Sequence, residues 1–445
     1  MMPKARRVTF ICGVLTGMAA SAIGGTVSAT PTYAAAPPPR VTAMGAFDFL
    51  DSIGVNTHVD QGYDPASYIE PLGYTGIRQV RDGGRNILSD VMIHQQTGVR
   101  FTIVGGAVPE ALAAARTLAD AHALLALEGP NEANNFPILY DGQKGGGPDG
   151  SWLPVAQFQK ALYAAVKADK VLRQYPVFGP SETGAQTDNA GVQFLTIPAG
   201  VDTLLPKGTR FADFANVHNY VIGNGNLYQD NQAWNAADPV LNGRWDGFYG
   251  NHGLTWRKRY KGYTDAQLPT VPRVTTETGW DTTANPGGQR TQGTILTNTY
   301  LAQFKRGWAY TFVYELRDAE GSTGDQGLYH GAAPKLAATY IHNMTTILSD
   351  DRPLTKPGSL TYAIPDQPAT VHSLLLQKSN GQFDLVVWGE RVSGSDTVTV
   401  SLGSPRKTVK LYDITSGTAP VQTFANVASV QLTLSDHAMI IEIGS

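Results

Sequence analysis

Cysteine is almost missing from this chain: among 445 residues there is one, Cys12. Cys12 lies in a leader expected to be removed, so neither a disulfide nor a thiol nucleophile is expected in the mature protein. Stability must then come from a large apolar core. A bilayer-length hydrophobic run is also lacking. Lys4, Arg6 and Arg7 precede an apolar stretch from Val8 to about Ala20, and the small residues Thr32-Tyr33-Ala34-Ala35-Ala36 follow. That layout reads as a secretory signal peptide over residues 1–36, because the apolar stretch is shorter than the roughly 20 residues of a membrane span. A secreted protein, extracellular or periplasmic, is expected. Basic blocks are absent as well: without Lys4, Arg6 and Arg7, 31 basic residues face 37 acidic ones, a formal charge of −6. Nucleic acid and membrane surfaces are therefore poor partners, and a monomer is expected.

Several chemistries lack their signatures. No HExxH occurs and the nine histidines are scattered, so no metal is expected. Gly179-Pro180-Ser181-Glu182-Thr183-Gly184 is one residue out of register for a serine nucleophile elbow. Gly145-Gly146-Gly147 has no lysine to make a phosphate loop. No cofactor is expected.

What the chain does have is alternation. After the linker Ala36-Pro37-Pro38-Pro39, eight short β-rich runs alternate with helical patterns, the mark of repeated βα units. The runs cover 53–58, 76–81, 99–104, 124–132, 176–179, 214–220, 273–277 and 311–315. Helices are expected over 109–121, 155–173, 289–306 and 334–348 from their apolar spacing. Eight units in roughly 300 residues suit a closed (β/α)₈ barrel, expected over residues 45–350. An open doubly wound sheet would need a glycine-rich phosphate turn after the first run, and none is there. Past Ser349 the period changes to two. Strands are expected at 372–378, 383–388, 397–402, 408–412, 430–434 and 438–443, the first two joined by Asn380-Gly381. An antiparallel β-sandwich over 355–445 is the expectation.

In such a barrel, functional side chains sit at the C-terminal ends of strands. Run four ends in Asn131-Glu132, run seven in Glu277 and run six in His218-Asn219-Tyr220. Run two ends in Arg81-Asp82, run one supplies Asn56 and His58, and run eight supplies Glu315 and Arg317. A single glutamate at a strand end is more often a loop ion pair. Two, delivered from opposite sides of one mouth, are what glycosidic cleavage needs, because one protonates the leaving oxygen while the other attacks the anomeric carbon.

Leu127-Glu128-Gly129-Pro130-Asn131-Glu132 and Val274-Thr275-Thr276-Glu277-Thr278-Gly279-Trp280 resemble the strand-four and strand-seven signatures of the clan A, or 4/7, retaining glycoside hydrolases, which include families 5 and 39. The resemblance covers about residues 45–350 and does not single out a family. It implies that Glu132 is the acid/base, with a raised pKa, and Glu277 the nucleophile. It further implies that Arg81 and Tyr220 hold Glu277 ionised and that Asn131 donates to the sugar 2-hydroxyl.

Other positions carry weaker expectations. His58, His218 and Glu182 are candidate substrate contacts, His218 being equally readable as a structural histidine. Glu128 reads as a buried structural carboxylate, and Arg78 as pointing away from the mouth. Residues 221–263 hold eight aromatics, twice the chain average of 9%, and could form a sugar-stacking wall or only a local core. Trp280 is the single ring expected against sugar. Tyr314-Glu315-Leu316-Arg317 stands where many relatives have a tryptophan, and the glycine-rich 141–150 reads as a flap or a surface loop. The function expected is a secreted hydrolase that cleaves a β-glycosidic bond by double displacement. A transglycosylase using the same residues, or a carbohydrate-binding protein without catalysis, are the alternatives.

Overall fold

The computed structural model describes residues 39–133, 135–147, 151, 153–181, 209–221, 231–237, 272–283, 287–318 and 325–444. The expected signal peptide, Glu182, and every aromatic of the 221–263 segment except Trp234 lie outside them. Eight parallel strands build one sheet: β1 (Ile53–Asn56), β2 (Gln79–Gly83), β3 (Arg100–Val104), β4 (Leu124–Glu128), β5 (Val177–Phe178), β6 (Ala215–His218), β7 (Arg273–Thr278) and β8 (Trp308–Val313). Their order is β6-β7-β8-β1-β2-β3-β4-β5. A parallel bridge between Phe178 and Phe214, with the Gly179 N–H on the Phe214 carbonyl at 2.9 Å, joins the two outer strands and closes the (β/α)₈ barrel.

Side chains fill the barrel below its mouth. Leu125, Ala126, Phe178, Val274 and Phe312 cluster there with Phe214 and Tyr310 against them. Gly54 is required on β1, since a Cβ would stand 2.4 Å from the Phe312 ring. The packed interior leaves the C-terminal mouth as the open end. Helices Ile69–Thr75, Ile87–Thr97, Val108–Asp120, Leu153–Ala168, Gly288–Lys305 and Leu336–Ile347 surround the sheet. The first two stop at Gly76 and Gly98, whose left-handed conformation returns each N–H to the last turn.

Two strand ends differ from the sequence expectation. β4 stops at Glu128, ahead of Pro130, which has no N–H to give a ladder, so Asn131-Glu132 sit in the loop beyond it. β8 begins three residues earlier than expected because Trp308 is buried and donates its Nε1–H to the Ala237 carbonyl at 2.9 Å. It ends at Val313, which puts Tyr314 and Glu315 past the strand.

The β-rich part is also rearranged. The two strands expected at 397–402 and 408–412 are one long strand, Asp396–Asp413, whose register breaks between Ser401 and Arg406. Gly403, at φ +72°, and Pro405 fall in that break. Its partner is Gln422–Leu434, longer than expected. The six-stranded sheet continues through Ala438–Ile443, Phe383–Gly389 and Val371–Gln377 to Met44–Gly45, while Arg40–Thr42 pairs with Ser359–Thr361. Residues ahead of the barrel therefore belong to this layer, which the sequence pattern did not reveal.

Both faces of this sheet are buried. Leu375, Leu385, Val387, Ile441 and Ile443 face the inner core of the β-layer. Their neighbours Leu374, Leu376, Val386, Trp388 and Ile440 share one core with Tyr300, Leu301, Ile341 and Met344 of the barrel helices. This accounts for unbroken apolar runs such as 374–376 and 385–388 where strict alternation was expected. Polar groups fasten the same seam. Asn298 donates to the carbonyls of Gly389 and Asp436, both at 3.0 Å, and Arg290 pairs with Asp436 at 2.8 Å. Trp234 stacks on His372 with centroids 4.4 Å apart, and the Arg306 guanidinium lies 3.9 Å from the Trp234 centroid. Among the described residues no helix is long and apolar enough to cross a membrane.

Candidate active site

Arg81 organises the mouth. It is buried, and its five N–H donors are all used. Nε and Nη2 grip the two Glu128 oxygens at 2.6 and 3.0 Å, while Nη1 reaches Glu277 Oε1 at 2.7 Å and Asn56 Oδ1 at 3.0 Å. The remaining Nη2 donor meets Asn131 Oδ1 at 2.7 Å. Burial alone would lower the pKa of this guanidinium, but Glu128 and Glu277 raise it further, so it is a fixed cation. Tyr220 donates to Glu277 Oε2 at 2.9 Å. Burial and the nearby Glu277 and Glu132 push its pKa well above the ordinary tyrosine value, so it remains a donor. Glu277 thus faces a cation on one oxygen and a neutral hydroxyl on the other.

A register slip explains how β7 supplies two neighbouring residues to the same centre. Val217 pairs with Thr275 and His218 with Glu277, leaving Thr276 over. A bulge of this kind re-aims side chains beside a site. Asn56 holds the bulged Thr276 carbonyl with its Nδ2 at 3.0 Å. The Thr276 hydroxyl is 3.0 Å from Glu128 Oε1, which can only accept. Thr276 Oγ1 also lies 3.0 Å from His218 Nε2 and 3.0 Å from Asn216 Nδ2. His218 Nδ1 lies 2.9 Å from Glu132 Oε1 and 3.4 Å from Glu277 Oε2, so the imidazole bridges the two carboxyl groups. Glu132 itself has φ +37°, a conformation that costs a non-glycine residue energy and recurs at functional sites.

The cavity that contains this centre has a volume of about 460 Å³. Asn131, Glu132, Arg81, Tyr220, His58 and Glu277 all line it. His58 pairs with Glu315 at 2.8 Å. Burial would lower the His58 pKa, yet the hydrogen bond and charge of Glu315, with Asp82 and Glu277, raise it above the ordinary value. Asp82, raised to about 6 by burial against the lowering effect of its hydrogen bonds, accepts from Thr57 and from the N–H groups of Val59 and Asp60, which shapes the loop after β1.

Trp280 does not line the cavity: it is 1% exposed and packed with Val221, Ala236 and Ile295. Apolar neighbours on helix Gly288–Lys305 claim the ring that was expected to meet sugar. His218, at 0% exposure, does not line the cavity either, which fits the structural reading offered beside the substrate one; it lies 2.9 Å from Glu132 and 3.0 Å from Thr276. Arg317 turns outward, its Nε on the Gly331 carbonyl, and Arg78 donates to the Asp350 carbonyl away from the mouth, as expected. Trp234, from the aromatic segment, braces the β-layer rather than the cavity. Thr276 was missed, since a bulge leaves no mark in the spacing of residues. Tyr314, noted only for the ring it replaces, lines the cavity.

Two groups of side chains have metal-like spacing among the described residues. Glu132, His218 and Glu277 offer ligand atoms within 4.8 Å of one another, but the cation facing Glu277 is already Arg81. Asp318, Asp325 and His330 form the second, and there the buried Lys335 ammonium pairs with both aspartates.

No family model matches the sequence, and no curated protein matches it. Solved structures do match in fold. A family 39 glycoside hydrolase from the gut symbiont Bacteroides cellulosilyticus WH2 is 16% identical, with 89% of this chain and 82% of that chain covered and a TM-score of 0.56. CelM2, a bifunctional glucanase-xylanase from a metagenome library, is 12% identical over 88% of this chain and 99% of its own, also with a TM-score of 0.56. At these identities the likeness is one of fold: a barrel with an appended β-domain, shared with glycoside hydrolases.

Proposed function

We propose that this protein is an extracytoplasmic hydrolase of β-linked glycosides that acts with retention of configuration, with Glu277 as nucleophile and Glu132 as acid/base. The observation that carries the reading is the closeness of the two carboxyl groups, one oxygen of each lying within 4.8 Å of an oxygen of the other. Retaining enzymes hold theirs at roughly 5–5.5 Å, whereas inverting ones leave about 6.5–9.5 Å for a water. In the first step a Glu277 oxygen bonds to the anomeric carbon as the bond to the leaving oxygen breaks, and Glu132 gives that oxygen its proton. In the second, water loses a proton to Glu132 and its oxygen attacks the anomeric carbon, releasing Glu277. Arg81 and Tyr220 stabilise Glu277 as the departing carboxylate. Asn131, whose carbonyl oxygen is taken by Arg81, has its NH₂ left to donate to a sugar hydroxyl. Export is supported by the signal-like leader.

The test is hydrolysis of a panel of aryl and natural β-glycosides by wild type and Glu277→Gln, with the anomer of the first product read by NMR. Turnover abolished in the variant and a retained anomer support the reading. Equal rates in both proteins overturn it, and an inverted product removes the double displacement. Dialysis against EDTA is expected to leave the rate unaltered.

A further inference from the structure

Beside the catalytic cavity lies a second, larger hollow of about 850 Å³, and the two share Gly105, Asn131 and Phe136. Gly105 joins them: at φ +92° it carries no side chain, and a Cβ there would meet nothing within 4 Å. The walls of the hollow are apolar, built from Pro109, Pro130, Ile138, Leu139 and Phe158 as well as Phe136. Among the described residues Asp141 is its one charged lining residue, whereas the catalytic cavity has His58, Asp60, Arg81, Asp82, Glu132 and Glu277. Phe136 is 59% exposed and Leu139 75% exposed, an arrangement that leaves large apolar surfaces facing water. They are held rather than loose. Phe136 bonds back to the Glu132 carbonyl at 2.8 Å, and Leu139 sits on a hairpin, Ile138–Tyr140 with Gln143–Gly145, closed by Asp141-Gly142 in left-handed conformation. Tyr140 packs edge-on against Phe158 at 5.6 Å, which gives the wall its shape.

We propose that this hollow receives the leaving group of the substrate and that this group is an apolar aglycone, an alkyl chain or aromatic ring, rather than a second sugar. The inference rests on the function proposed above and deepens it. A group leaving the anomeric carbon departs on the side of the acid that protonates it. Phe136, one turn beyond Glu132, forms the threshold between the two hollows. A sugar in the larger one would bring several hydroxyls against proline, isoleucine, leucine and phenylalanine, with too few acceptors to replace water. A hydrocarbon group would cover the exposed Phe136 and Leu139 faces and leave no polar atom unpaired.

The experiment compares octyl, methyl and cellobiose-type disaccharide β-glycosides carrying the sugar that the panel identifies. The octyl glycoside is expected to exceed the methyl glycoside in kcat/KM at least tenfold and to exceed the disaccharide. Leu139→Asp is expected to bring the octyl-to-methyl ratio close to one, while Val421→Asp, at another exposed apolar site, on the β-layer, preserves it. Parity in wild type, a ratio indifferent to Leu139→Asp, or preference for the disaccharide overturns the proposal while leaving the glycosidase reading intact. If no glycoside turns over, that reading fails by itself. Calorimetric binding of octyl and methyl β-glucosides to wild type then decides, equal affinities overturning the apolar site. Dimerisation lost in Leu139→Asp would assign the hollow to a second copy and likewise overturn the proposal.

Discussion

At the scale of single residues, Arg81 has no substitute. Lysine carries the same charge but three donors from one nitrogen, and it cannot span Glu128, Glu277 and Asn131 together. Arg81→Lys is expected to cost on the order of 10²-fold in kcat/KM through a mispositioned Glu277. Arg81→Met should cost about 3–5 kcal/mol of stability by leaving the buried Glu128 without its cation; urea melts measure this. Glu132→Gln has a different signature. The loss should be on the order of 10²–10⁴-fold for glycosides with poor leaving groups and far smaller for dinitrophenyl glycosides, whose oxygen departs without a proton. A uniform loss across both would contradict the acid role. His58 provides a test by pH. Its folded pKa is raised, so the stabilisation from Glu315 is fully present below the unfolded value of about 6.5 and fades as pH rises through the folded value. Melting temperatures of wild type and Glu315→Gln should therefore converge as pH increases; a constant gap would count against the pair.

At the scale of elements, the seam between helix Gly288–Lys305 and the β-layer is fastened by the buried amide of Asn298. Asn298→Ala would leave the Gly389 and Asp436 carbonyls short of a donor, at about 1–3 kcal/mol, read as a lower thermal midpoint. The same seam shows what the amino-acid pattern could and could not convey. All eight barrel strands were legible, because each is a short apolar run set among helical patterns in the sequence. Whereas Asn131 and Glu132 sit in the loop beyond β4, the end of β7 carrying Glu277 was legible for the same reason. Positions decided by contacts distant in sequence were not. Trp280 looked like a sugar platform, since nothing nearby in the sequence announces that helix Gly288–Lys305 covers it. The merged strand Asp396–Asp413 was read as two because Gly403 and Pro405 look like a turn when their partner strand is unknown. Met44–Gly45 is too short to register as a strand until Leu376 pairs with it.

For the whole molecule, the barrel and the β-layer share one hydrophobic core. A chain ending at residue 350 would expose Tyr300, Leu301, Ile341 and Met344, and it is expected to aggregate rather than yield a soluble, active barrel; soluble expression with full activity would refute this. The β-layer also sets an alkaline limit. His437, raised to about 9 chiefly by Asp413 and Asp436 against the opposing effect of burial, stabilises fully below about pH 6.5 and loses that contribution as pH climbs through 9. His437→Gln should melt earlier than wild type near pH 6 and close to it near pH 10.

The pairing of Arg40–Thr42 with Ser359–Thr361, and of Met44–Gly45 with Leu376 and Gln377, spans more than 300 residues of chain. During synthesis the segment 40–45 must wait, unpaired, until residues 359–377 have left the ribosome. Locking of this layer is thereby deferred until the whole intervening barrel has been made, so its edge stays open to other contacts for most of that time.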